Sequence, residues 1–143
     1  MDFEVNDLDI NKYEIIFKNN EKKLVLSIIT ECCEEAYFSN IPNNVSISRL
    51  NELGYCIDDC DFIQLDNLKT GENMKINNID LIWEKTISCN TGDIVDDEYV
   101  NDYYLEYKLY EINLNNDKKS YIILKVISNG YYSSTLNINI EDI

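Results

Sequence analysis

The sequence has no histidine. That absence removes Cys-His and Ser-His nucleophile pairs, His-containing zinc sites and imidazole acid–base chemistry, and with them most common hydrolase mechanisms. Proline occurs once and glycine four times, too few for a flexible or Pro-rich linker. No apolar run is long enough to span a bilayer, and the N-terminal residues carry no signal-peptide core, so an intracellular protein is expected. Basic residues are scarce. Twelve Lys and Arg stand against 27 Asp and Glu, for a net charge of −15. Such a surface repels DNA, RNA and anionic membranes and favours basic partners, such as the groove of a nucleic-acid-binding protein.

What is present describes an ordinary folded domain. With 143 residues, 45% of them hydrophobic and 11% aromatic, the chain is expected to form one domain, 1–143, with its own core. Asn, Ile, Lys, Tyr and Asp dominate, and most of these have A/T-heavy codons, which points to an AT-rich genome. The five cysteines are an odd number, and Cys32 and Cys33 are adjacent. That is poor geometry for a disulfide framework, and in a reducing compartment these are free, mostly buried thiols.

Strand signals dominate the chain. Phe3 to Leu8 reads as a short edge strand. Lys12 to Lys18, the turn Asn19-Asn20-Glu21-Lys22, and Lys23 to Thr30 read as a hairpin with alternating faces. Glu31 to Phe38 loses the alternation and suits a short helical turn or an irregular crossover. Pro42-Asn43-Asn44 marks a loop. Ile47, Leu50 and Leu53 fall at helical spacing and stop at Gly54, although a strand from Val45 to Ser48 is nearly as good a reading. Tyr55 to Leu65 reads as extended, interrupted by Asp58-Asp59-Cys60-Asp61.

Thr70 to Asn73 is expected to turn, Ile76 to Cys89 to form a strand around Trp83, and Thr91 to Asp102 to form an acidic loop. Tyr103 to Leu114 is a long strand that turns at Asn115-Asn116-Asp117 into Ser120 to Ile127. That last run is nearly all apolar, as in a strand covered on both faces. Asn129-Gly130 then permits a reversal into Leu136 to Ile140, where alternation with Asn137 and Asn139 predicts one wet face. Tyr13-Glu14-Ile15 with Asn19-Asn20-Glu21-Lys22 echoes Tyr110-Glu111-Ile112 with Asn115-Asn116-Asp117-Lys118. Shared turn chemistry and biased composition explain the echo as well as a duplication does. The expected fold is mainly β (α+β), an antiparallel sheet of about six to eight strands. It would be curled, or a small sandwich or barrel, with one or two short helices.

Two landmarks carry a resemblance. Glu31-Cys32-Cys33-Glu34-Glu35-Ala36-Tyr37 follows the first hairpin, and Ser128-Asn129-Gly130-Tyr131-Tyr132 lies near the end. Together they resemble a family of small uncharacterised domains in phages and giant DNA viruses, which pairs a Cys-Cys segment with a Ser-Asn-Gly-Tyr-Tyr-Gly-Gly-like motif. Ser133-Ser134 departs from the Gly-Gly of that pattern, and the middle of the chain is not covered. The resemblance implies a viral origin and no particular function. It makes Cys32, Cys33, Asn129, Gly130, Tyr131 and Tyr132 candidates for a structural motif in which the two segments pack together.

The candidate binding residues are Asp93, Asp96, Asp97, Glu98 and Asp102 with Tyr103 and Tyr104. Clustered carboxylates can bind Ca²⁺ or Mg²⁺, but the spacing and central Gly of an EF-hand loop are missing, and a solvated acidic loop is the simpler reading. Paired carboxylates also serve glycoside hydrolysis, yet no pair is singled out here. Cys56 and Cys60 have a zinc-ligand spacing that the adjacent Cys32 and Cys33 lack, and buried thiols are the simpler reading for all of them, Cys89 included. Tyr103, Tyr104, Tyr107, Tyr110, Tyr131 and Tyr132 concentrate rings that suit either a core or a contact surface. The expected function is that of a non-catalytic acidic protein-interaction domain. It would bind a basic host or viral protein, in one version by nucleic-acid mimicry. No cofactor, metal, nucleic acid or membrane is assigned. The alternatives are a metal-dependent enzyme or binding domain using Asp, Glu or Cys, and a minor virion component. A viral protein would then reside in the host cytoplasm or the virion.

Overall fold

Period-two alternation organises the chain into two antiparallel sheets. A computed structural model describes residues 1–30, 34–39, 45–55, 57–70, 74–89, 94–95, 98–99, 103–128 and 134–143. Strand β1 (Phe3–Val5) buries Phe3 and Val5, and β2 (Asp7–Ile10) buries Leu8. The single edge strand expected over Phe3 to Leu8 is therefore two. Asn6 breaks the alternation, its amide bonds Lys18 O at 2.8 Å, and the chain steps from one sheet into the other. The first hairpin forms as expected from β3 (Glu14–Lys18) and β4 (Lys22–Ile29), with Ile15, Phe17, Leu24 and Leu26 all fully buried. Its turn is held by Asn19 Oδ1, which accepts from the amides of Glu21 and Lys22 at 2.9 and 2.8 Å.

Of the helical turn or irregular crossover expected over Glu31 to Phe38, Glu31 to Cys33 lie outside the described residues, and the helical turn is corrected over the rest. Glu35–Phe38 is strand β5, with Ala36 and Phe38 buried and Tyr37 facing outward. Helix propensity in Glu-Glu-Ala yields to pairing with a neighbouring strand, as it does when a segment gains two buried side chains. Helix α1 (Ile47–Glu52) follows the helical spacing. Ser46 Oγ caps it by accepting from Arg49 N at 3.2 Å, and Gly54 ends it at φ +94°, where a Cβ would be strained. Tyr55 to Leu65 is broken, as expected, at a 3-10 turn over Asp59–Asp61, capped by Asp58. A second 3-10 helix covers Leu65–Thr70.

Strand β6 (Met74–Cys89) contains Trp83. A small ribbon of β7 (Ile94–Val95) and β8 (Glu98–Tyr99) lies within the expected acidic loop. Strands β9 (Tyr103–Leu114) and β10 (Lys119–Ser128) pair over their whole length around a turn in which Asn116 and Asp117 take φ of 61° and 56°. No residue of the first hairpin's turn has positive φ, so the sequence echo between the two hairpins does not extend to their turn geometry. The last strand is β11 (Thr135–Asp142).

The five-stranded sheet has the order β1-β6-β9-β10-β5 and the four-stranded sheet β11-β4-β3-β2. The mainly β, antiparallel expectation stands, and the strands beyond six to eight are segments of two to four residues. One local expectation fails. The runs flanking Asn129-Gly130 do not form a hairpin, because β10 lies between β9 and β5 whereas β11 pairs with β4. Good turn chemistry permits a reversal, but the buried partners of each strand decide which sheet it joins.

The main core lies between the sheets and includes Phe17, Leu24, Leu26, Phe38, Ile112, Ile122 and Leu124. A second, smaller core forms on the outer face of the five-stranded sheet, where Val45 and Leu50 cover Leu109, Tyr121 and Ile123. Phe17 is fully buried in the main core. Phe17→Ala is expected to destabilise the protein by about 3–5 kcal/mol, read as a lower urea midpoint at unchanged slope.

Candidate functional site

The turn at Asn115-Asn116-Asp117 sets a register that places Glu111 directly opposite Tyr121 and Asn113 opposite Lys119. On the other side of β9, Asp80 faces Glu111 and Asn78 faces Asn113. Two polar rows therefore cross three strands on one face: Asp80–Glu111–Tyr121 and Asn78–Asn113–Lys119. The 3-10 turn at Asp59–Asp61 walls this grid on the β10 side, where Phe62 bridges to Lys119 and stacks on Tyr121 at 6.0 Å between ring centroids. The result is a cleft of about 590 Å³ lined by Asp61, Asn78, Asp80, Glu111, Asn113 and Asp117, among others.

Glu111 is the buried carboxylate of this cleft. Tyr121 Oη donates to its Oε2 at 3.1 Å, and Lys119 Nζ lies 3.4 Å from its Oε1. Asp80 is held differently, with Oδ2 accepting from Asn78 Nδ2 at 2.6 Å and from Asn113 Nδ2 at 3.3 Å. Lys118 is drawn to the wall, its Nζ donating to Cys60 O at 2.7 Å. Burial first, and then the charge of Glu111, pushes the Tyr121 hydroxyl well above the ordinary tyrosine value of 10.0. Tyr121 is thus a neutral donor, not a base or nucleophile, at any physiological pH. The arrangement offers carboxylates and amide oxygens to a cationic group and contains no activated nucleophile.

Tyr104, singled out in the sequence, does not line this cleft. Asp93, Asp96, Asp97 and Asp102 fall outside the described residues, as do Cys32, Cys33, Asn129, Gly130, Tyr131 and Tyr132. Glu98 belongs to β8 and Tyr103 to β9, with their side chains outside the description. Tyr104 is half-buried on β9, opposite Ser88 and Ser128. Tyr110 is buried in the main core, and Tyr107 faces the opposite side of β9. Cys60 is exposed and free. Among the described residues no group of three or more Asp, Glu or Cys side chains converges on a metal position.

The flanks of the two landmarks do meet. Glu35 pairs with Ile127, Thr135 pairs with Ile29, and Ser134 Oγ donates to Glu34 Oε2 at 2.8 Å. Buried Lys108 adds a bond from Nζ to Ser134 O at 2.6 Å. The chain changes sheet between β4 and β5 and again, in the opposite direction, between β10 and β11.

A feature missed in the sequence is a cross-strand row on the outer face. Tyr37, Lys125, Tyr107 and Lys85 stand opposite one another across β5, β10, β9 and β6. Lys12 Nζ lies 4.4 Å from the Tyr37 ring and Lys125 Nζ 5.8 Å from both tyrosine rings. Each such contact is worth about 0.5–1 kcal/mol at an exposed site. The cleft itself had one visible signal, an acidic residue at Glu111 between the apolar Tyr110 and Ile112 and close to a turn.

Comparison with known proteins finds no family model, curated protein or solved structure that matches the chain. No helix among the described residues is long and apolar enough to cross a membrane.

The raised Tyr121 hydroxyl has a consequence for pH. The unfolded chain ionises this tyrosine near its ordinary value while the folded chain keeps it protonated. Its contribution to stability is therefore complete below about pH 10 and is lost as pH rises through the folded value. Phenolate absorbance of the 11 tyrosines is expected to show a late-titrating ring that Tyr121→Phe removes. The same substitution leaves Glu111 Oε2 without its donor and is expected to cost about 1–3 kcal/mol in urea unfolding at neutral pH.

Proposed function

We propose that this chain is a non-catalytic acidic protein-interaction domain that receives a basic protein partner. The observation that carries this reading is the cleft in which Asp61, Asp80 and Asp117 surround the buried Glu111. Two lysines also line it. Lys118 is tied to the Cys60 carbonyl and Lys119 to Glu111, so the cleft keeps an acidic surplus. A Lys or Arg side chain entering there meets carboxylates from four segments of the chain, and the net charge of −15 adds long-range attraction to any basic surface. A nucleic-acid-binding groove is one such surface, with carboxylates standing where phosphates would. A viral origin would make the partner a host or viral protein.

The test is binding of a lysine-rich peptide and of a basic nucleic-acid-binding protein, by titration calorimetry at low and high salt. Exposed charge pairs are worth about 0.2–1 kcal/mol each. Replacing Asp61, Asp80 and Asp117 together by Asn is expected to weaken binding by about tenfold at low salt, with little effect at high salt. No binding at low salt, or equal binding by the triple variant, would reject this reading.

A further inference from the structure

Open sheet edges present unpaired amides and carbonyls, and folded chains blunt them with short strands, bulges, prolines or charges. Four edges among the described strands carry such a device. Strands β1, β2 and β5 are three or four residues long. Strand β6, uncovered by β1 beyond Ile76, has register shifts between Ile76 and Asn78 and between Leu81 and Trp83, and it carries Glu84 and Lys85. Strand β11 is neither short nor bulged, has no proline, and carries charge only at its last two residues. Its eight residues pair with β4 in unbroken register and include no Pro, Gly or Lys. Its two carboxylates sit at one end, where Glu141 lies 3.4 Å from Lys23 Nζ and Asp142 stands opposite Lys22 in the register.

The direction of the open groups can be read from two bonds. Leu136 N donates to the Tyr110 hydroxyl at 3.4 Å, away from β4, whereas Ile143 N donates to Glu21 O on the β4 side. Hydrogen-bonding direction alternates along a strand, so the amides and carbonyls of Ile138 and Ile140 point out of the free edge. Their side chains lie on the core side, opposite the fully buried Leu26 and Leu24, yet are 39% and 44% exposed.

We propose that β11 is a self-pairing edge, through which two copies of this chain join antiparallel about a two-fold axis at Asn139. In that register Ile138 of one copy stands opposite Ile140 of the partner subunit, and the converse. The outward amides and carbonyls of both residues are satisfied reciprocally, and the apolar side of the four-stranded sheet continues into its copy. Glu141 falls opposite Asn137 and Asp142 opposite Leu136, so no carboxylate faces another. The self-complementary isoleucine pattern favours a second copy over a basic strand, which would find no carboxylate from Thr135 to Ile140 and, beyond them, a Glu141 that already faces Lys23. Because each copy carries −15, distant repulsion opposes the dimer and salt relieves it. This dependence is opposite to that of a basic partner in the acidic cleft.

Sedimentation equilibrium of the full chain tests the proposal. A reversible dimer is expected, its fraction rising between about 0.05 and 0.5 M NaCl. Ile138→Lys should weaken association by at least about tenfold with an unchanged circular dichroism spectrum, and Ile138→Val should keep the dimer. Ile140→Pro should abolish the dimer and leave the monomer folded, because proline is tolerated where the amide faces solvent. A chain that stays monomeric throughout, a dimer that survives both disruptive variants, or a monomer unfolded by Ile140→Pro would each overturn it.

Discussion

The pairing of β9 with β10 is the interaction on which the rest of the structure depends. Because side chains alternate across a strand, one register assigns two sets of residues at once. Tyr110, Ile112, Ile122 and Leu124 face the four-stranded sheet and build the main core. Leu109, Tyr121 and Ile123 face the other way and nucleate the outer core under Val45 and Leu50. Glu111 shares that outer face at the hairpin end, beyond the cover of α1. A slip of one residue would exchange these sets, burying Glu111 between the sheets and exposing Ile112. Burial of both apolar sets therefore selects the register, and the acidic cleft is a consequence of it.

The second organising feature is the pair of connections between the sheets. β4 hands the chain to β5, and β10 hands it to β11, and each step changes sheet. The hydrogen bond between Ser134 and Glu34, with Lys108 bonded to Ser134 O, ties the two passages together. A buried lysine is costly unless its donors are engaged, so Lys108 also commits the start of β11 to its place over β9. Leu136 N on the Tyr110 hydroxyl makes a second tie within the same few residues. Among the described strands β11 pairs with β4 alone, and its other edge has no strand beside it.

Charge is distributed with more discrimination than a net value conveys. The outer face of the five-stranded sheet carries an acidic cleft at the hairpin end and, farther along the same strands, the row of Tyr37, Lys125, Tyr107 and Lys85. Few of the carboxylates are paired with a cation among the described residues, as 12 bases against 27 acids must imply. The exposed pairs, such as Lys23 with Glu141, contribute little individually. Their effect is local neutrality on an otherwise repulsive surface, and β11 is where that neutrality coincides with exposed isoleucines.

Much of the fold was legible in the sequence, for a physical reason. Strands β3, β4, β9 and β10 have strong alternation or continuous apolar character and turn residues that tolerate the required backbone, and these are local properties. Helix α1 likewise follows from Ser46, the spacing of Leu50 and Gly54. Strand β5 was not legible because four residues carry too little pattern to outweigh Glu-Glu-Ala, and only β10 beside it makes a strand of them. The destination of β11 was not legible either. Asn129-Gly130 allows a hairpin, and pairing with β4 is a choice between distant partners. The site divides in the same way. An acidic chain without histidine already excludes imidazole acid–base chemistry. That Asp61, Asp80, Glu111 and Asp117 meet required the register of three strands and a 3-10 turn far away in the chain, because contacts of that kind are decided by packing and not by local sequence.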